Sequence, residues 1–186
     1  MHRRPVRTLL DRYELQWPRE RELVARFREF CDGHADCLER SCAPGHFTAS
    51  AWILDARGEQ ALLHHHKKLG KWLQLGGHVD GAPEVEAACL REAQEESGMT
   101  DFVFVPWAGA DLTPLDLDVH EIPARPGEAA HLHWDVRFLL QAGAGQGLRR
   151  SSESNELAWV ANAALRSFTA EESVLRMARK ASEVTA

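Results

Sequence analysis

The sequence predicts an α/β fold of the mixed α+β kind: a mixed sheet sandwiched between helices, with a helical extension at the N-terminus. Three observations carry this. Residues 5–42 place Leu9, Leu10, Tyr13 and Trp17, then Leu23, Val24, Phe27 and Phe30, at helical spacing. Two groups of strand-like runs follow, and a single strongly helical segment splits them. Strands divided in this way favour a sandwich over a parallel, doubly wound sheet.

The elements follow in order. Leu15 falls off the first apolar stripe, and Pro18 sits where a second helix can begin. Pro44-Gly45 ends the helical pattern, so residues 1–45 read as the extension and residues 46–186 as the main domain. HFTASAWILD, QALLHHH and a short WLQL read as strands, leading into a glycine-rich loop, GGHVDG. Pro83 fits the first turn of a helix running to about Ser97. Ala87, Ala88, Leu90 and Ala93 give that helix an apolar side opposite its glutamates. DFVFVPWAG, PLDLDVHEI, HLHWDVRFLLQ and ELAWV supply further strands. A last helix carries Thr169 and Glu172 in a capping-box arrangement.

Composition narrows the function. A net charge of −6 argues against an electrostatic grip on nucleic acid or an anionic membrane. No apolar run approaches the ~18 residues of a membrane span, and the N-terminus lacks the apolar stretch of a secretory signal. Cys31, Cys37 and Cys42 are separated by five and four residues, which matches no CxxC pair. Ordinary reduced cysteines in a cytoplasmic protein are therefore expected ahead of a zinc site completed by His34 or His46.

The segment REAQEESG breaks two local rules. Glu92, Glu95 and Glu96 lie at i, i+3 and i+4, so three like charges share one helix face. They also crowd the C-terminal end, where the macrodipole prefers cations and where Gly98 is a stop signal. A hard divalent cation removes both conflicts. Carboxylate oxygens and a backbone carbonyl from the Gly76-Gly77 pair suit Mg2+ or Mn2+.

The stretch from Gly77 to Met99, GHVDGAPEVEAACLREAQEESGM, resembles a Nudix box: Gly, five residues, Glu, seven residues, then Arg-Glu-apolar-x-Glu-Glu-x-Gly-apolar. Gly77, Arg91, Glu92, Ala93, Glu95, Glu96, Gly98 and Met99 match in register. Pro83 stands where the first glutamate belongs, and this puts in question how Arg91 is held; Glu84 and Asp80 are the candidate substitutes. The resemblance covers roughly residues 46–182 and implies a Nudix-type sheet between helices. It implies Mg2+-dependent (or Mn2+-dependent) hydrolysis of a diphosphate linkage in a nucleoside diphosphate derivative or similar small phosphorylated metabolite. Glu92, Glu95, Glu96 and the Gly77 carbonyl would be metal ligands, joined by Glu153 from the SSESNELAWV loop in preference to Glu156. Arg91 would orient the glutamates, and Glu95, Glu96 or Glu153 would take the proton from water. Two alternatives stay open: a Nudix-like module that binds without hydrolysing, and an enzyme like isopentenyl diphosphate isomerase. The four cysteine positions disfavour the second. A homodimer is compatible with this reading.

Seven of the ten histidines lie between residues 64 and 133. Alternation places Asp116, Asp118 and His120 on one face of a strand. It places His131, His133, Asp135 and Arg137 on one face of another. Paired as a hairpin, these form one polar patch. The expectation is a substrate pocket in which His78 faces the phosphate chain and His120, His131, His133 and Arg137 meet phosphate or other polar groups, with Trp72 either stacking on a base or packing in the core. A solvated sheet face, or a transition-metal site from His120, His131 and His133, are the competing readings.

Overall fold

The computed structural model describes residues 2–185. Helices α1 (Arg4–Gln16) and α2 (Arg21–Gly33) flank a short 3-10 turn at Pro18–Glu20, where the missing proline N–H costs nothing. Strands β1 (Gly45–Leu54), β2 (Gln60–His66), β3 (Lys71–Leu73) and β4 (Leu75–His78) lead to α3 (Val85–Ser97). Then come β5 (Phe102–Phe104), β6 (Asp116–Ile122), β7 (His131–Ala142), β8 (Ser154–Ala161), α4 (Leu165–Phe168) and α5 (Glu172–Val184). The eight strands form one mixed sheet. Its spine is β1, parallel to β7 and antiparallel to β2 and β4. Every residue of β1 is buried, as expected of a strand covered on both faces. None of the described helices is long and apolar enough to cross a membrane.

The two faces carry separate apolar clusters because successive side chains of a strand point opposite ways. One cluster joins Phe47, Ala49, Ala51, Val136 and Phe138 to residues of α1, α2 and α3. The other joins Trp52, Leu63 and Leu139 to Val174, Met177 and Ala181 of α5. The N-terminal helices thus share the core of the sheet. Phe30 stacks on Trp134 of β7 at 4.5 Å, and Phe27 meets the same indole edge-on at 5.1 Å. Leu15 is exposed, as its place off the stripe requires.

Several local expectations are corrected. Residues 34–44 are turns rather than helix; they hold Cys37, Leu38 and Cys42 against the core, and all four cysteines are buried and free. Gly76 and Gly77 belong to strand β4, paired with Ser50 and Ala49, and not to a loop. Helix α3 starts at Val85, after an extended Glu84, so Pro83 precedes it instead of occupying its first turn. The capping box does not form. Thr169 Oγ1 accepts the Glu171 N–H at 3.2 Å, while Glu172 pairs with Arg179.

The hairpin of β6 and β7 pairs as expected: Asp116 faces Arg137, Asp118 faces Asp135, and His120 faces His133. The Asp116–Arg137 end of its polar row is not a solvated surface, because α5 covers it, whereas His120 at the other end is exposed. Arg137 is 2% exposed and bonds Asp135 (2.7 Å), Asp116 (3.1 Å) and Asp118 (3.0 Å). Arg176 and Lys180 of α5 reach the same Asp116 at 2.8 Å each, and Lys180 continues to the Tyr13 hydroxyl and to Glu20. One buried ionic network therefore ties α1 and α5 to β6 and β7.

Candidate active site

Helix α3 buries Val85, Ala88, Cys89 and Ala93, and its stop is the left-handed Gly98 (φ 72°), whose N–H bonds Gln94 O at 2.9 Å. The glutamates do not lie opposite this buried stripe; Glu92 and Glu96 continue it, four and eight residues beyond Ala88. Glu96 is 5% exposed and accepts the Gly76 N–H at 2.9 Å. Burial pushes its carboxyl up to about 8, against the pull of that N–H, and Glu92, Glu153 and Glu95 add repulsion. Glu92 is raised too, first by burial, with Arg91 opposing. Glu95 is exposed at the outer edge. Carboxylates this crowded and this desolvated have the donor chemistry of a hard-cation site.

Arg91 is held without the missing glutamate. Its guanidinium donates to the His78 carbonyl at 2.7 Å, pairs with Glu92 at 2.8 Å and Glu95 at 3.5 Å, and approaches Asp80 at 4.0 Å. Asp80 adopts φ 50°, uncommon for a non-glycine residue, and Arg40 anchors it at 2.7 Å. Of the two candidate substitutes for the glutamate displaced by Pro83, Asp80 is the one in reach.

Gly77 is where the strand meets the carboxylates. A Cβ there would lie 2.5 Å from the Glu92 carboxyl carbon, whereas one on Gly76 would strike the Ala49 carbonyl at 2.6 Å. A side-chain terminus yields and backbone does not. Gly77→Ala is therefore expected to fold and to lose divalent-cation affinity by displacing Glu92, whereas Gly76→Ala is expected to lower the melting temperature sharply. Circular dichroism melts and calorimetric Mg2+ titrations of the two variants check this; equal cation binding by Gly77→Ala and the parent would contradict it.

Glu153 lies in the turn before β8, its carbonyl taking the Lys67 N–H at 2.8 Å, and its charge is felt at Glu96. Glu156 sits within β8 opposite His65 and is exposed. His64 is a neighbour that sequence reasoning did not single out. It is 3% exposed, 3.7 Å from Glu96 and 2.9 Å from Ser154 Oγ, and burial depresses it to about 4. The signal was available: in QALLHHH, His64 alternates with Leu62, which packs on the α3 side.

Alternation also separates what had been expected together. Gly77 faces α3, so His78 faces the other way, beside Thr48 on β1. His120, His131, His133 and Arg137 share that far face, and Arg137 is committed to its three aspartates. Trp72 pairs with His65 and packs against Phe168 at 5.1 Å, on the α5 side. These residues do not line one pocket with Glu92 and Glu96.

The fold and the acidic helix define a Nudix domain: the family model of that description matches residues 44–180, and the chain belongs to the Nudix family as a Nudix hydrolase. Among solved structures it is similar to a NUDIX-family hydrolase from Clostridium perfringens (27% identity, TM-score 0.60, covering 76% of this chain and 98% of that one). It also resembles an Ap4A hydrolase from C. elegans (18% identity, TM-score 0.58, 74% and 95% covered). A third likeness is to the dihydroneopterin triphosphate pyrophosphohydrolase of E. coli (14% identity, TM-score 0.55, 72% and 92% covered). The last two likenesses are of fold. No curated protein matches the chain in sequence.

Proposed function

We propose that this protein hydrolyses a diphosphate linkage in a nucleoside diphosphate derivative or a similar small phosphorylated metabolite. The observation that carries the reading is the cluster of Glu92, Glu95 and Glu96 at the end of α3, with Glu92 packed against the side-chain-free Gly77 and Glu96 on the Gly76 N–H. Glu92, Glu95, Glu96, the Gly77 carbonyl and Glu153 would hold Mg2+ or Mn2+. When bound, the cation neutralises phosphate oxygens and acidifies a coordinated water. Arg91 keeps Glu92 and Glu95 in place. Glu96 or Glu153, on the rim shared by α3 and the turn before β8, accepts the water proton, with Glu95 the exposed third candidate. Neutral His64 restricts the pocket wall beside Glu96 without adding charge. Trp159 lies two positions along the same face of β8 from Leu157, the partner of His64, partly buried against the core. The relatives are named for dinucleoside polyphosphate and pterin triphosphate substrates, which share an anhydride between phosphates.

The test is a screen of nucleoside diphosphate derivatives and dinucleoside polyphosphates with Mg2+ and with Mn2+, reading released phosphate products. Metal-dependent release from at least one class is expected. No release, together with no cation binding at Glu92, Glu95 and Glu96, would exclude the hydrolase reading of this site.

A further inference from the structure

On the face of the sheet away from α3, five imidazoles converge from four strands: His46 of β1, His78 of β4, His120 of β6, and His131 and His133 of β7. His46 lies 4.8 Å from His133, 5.0 Å from His131 and 5.0 Å from His78, centroid to centroid; His120 is 5.4 Å from His133. The register builds the cluster, since His133 faces His46 across one ladder and His120 across the other. Five basic rings packed this closely require a reason.

The unpaired atoms supply one. His46 is 3% exposed and neither ring nitrogen has a partner; Nε2 of His131 and Nε2 of His133 are likewise buried and unpaired. A buried polar atom left unpaired carries its full desolvation penalty, and here several lie together. His131 Nδ1 donates its N–H to the Ala129 carbonyl at 3.0 Å, so Nε2 is the nitrogen left for a metal. Metal-ligating histidines are commonly oriented this way. His78 is occupied differently: its Nδ1 accepts from the Arg40 guanidinium at 2.7 Å, and its place is beside the trio.

We propose that His46, His131 and His133 form a second metal site, for a transition-metal dication of the zinc class. Ligand atoms of these three residues lie within 4.8 Å of one another. Tetrahedral coordination at about 2.0–2.1 Å needs nitrogens about 3.3 Å apart, which modest ring rotation supplies. Three imidazoles without a thiolate suit Zn2+, Co2+, Ni2+ or Cu2+ and not Mg2+, so the two faces of the sheet would sort hard from borderline cations. The trio leaves a fourth position open. Glu128, whose carboxylate lies 3.7 Å from His131 Nε2, brings a negative charge to its edge. A competing trio, His34, Asp36 and Cys42, has similar spacing at the end of α2. It lacks the orphaned nitrogens and is more exposed.

The experiment uses the full chain. After equilibration with Zn2+ in excess Mg2+ and removal of free metal, elemental analysis is expected to find one Zn2+ per chain. Co2+ in its place is expected to give the visible absorption of a tetrahedral nitrogen-rich site. His46→Gln and His131→Gln should each weaken Zn2+ binding by about 100-fold or more. Glu95→Gln and His34→Ala should leave it unchanged. A parent chain that retains no Zn2+, retention by both histidine variants, or loss on His34→Ala would overturn the proposal. The two histidine variants are independent, so one that fails to fold leaves the other, with the Co2+ spectrum of the parent, to decide. Loss on Glu95→Gln would assign the metal to the glutamates and overturn it equally.

Discussion

Glu96→Gln is expected to lower kcat by about 1,000-fold or more on any diphosphate substrate the screen identifies, about 4 kcal/mol of transition-state stabilisation. The substitution is close to isosteric, and its side-chain oxygen can still accept the Gly76 N–H, so the loss should come without unfolding. A linked effect has a defined sign. The Glu96 carboxyl is raised from 4.5 to about 8 by burial. Between those values the folded metal-free protein holds a proton that the unfolded chain releases, so its stability falls as pH rises through that window. Glutamine carries no such penalty. The metal-free variant should therefore melt at the same temperature as the parent at low pH and higher than the parent near pH 8. Retention of more than about a tenth of parental turnover would move the essential carboxylate elsewhere, to Glu95 or Glu153.

Asp116→Asn should be the most damaging single change away from the glutamates. Asp116 is fully buried and meets Arg137, Arg176 and Lys180. All three hold its carboxyl below the ordinary range despite the burial that opposes them. Removing one partner of a buried ionic cluster leaves uncompensated charge and costs about 3–5 kcal/mol. For a chain of this length that lowers the melting temperature by about 10 °C. Arg57→Ala breaks only the exposed pair with Glu59 and should leave the melt where it is. Thermal melts of both variants check the contrast. An unchanged melt for Asp116→Asn would mean that the cluster is neutral on balance. The network also links Tyr13 of α1 to Lys180 of α5, so Asp116→Asn should loosen the N-terminal helices first, as increased proteolysis before Arg21.

The box from Gly77 to Met99 was legible because its chemistry is local: three carboxylates on one turn, a helix stop at Gly98, and a glycine that admits a carboxylate. These depend on spacing along one segment, which sequence reports directly. The element order, the helical stripes of Leu9, Leu10, Tyr13, Val24 and Phe27, and the β6–β7 hairpin were legible for the same reason.

Only tertiary structure decided how those local features combine. The His78 carbonyl and Asp80, in place of the glutamate that Pro83 displaces, join Glu92 and Glu95 around Arg91, and Asp80 takes a positive φ in the turn that brings it there. Arg137 became a structural ion because α5 closed over it, an event of long sequence separation that alternation along β7 cannot foresee. Most consequential is the parity of β4. Gly77 and His78 are neighbours in the chain yet face opposite sides of the sheet, so the glutamates and the histidines belong to two separate places. The sequence by itself determined the family and the segment that carries its acidic helix. The parallel pairing of β1 with β7 brought His46 to His131 and His133, because strand register is set by contacts between segments and not within them.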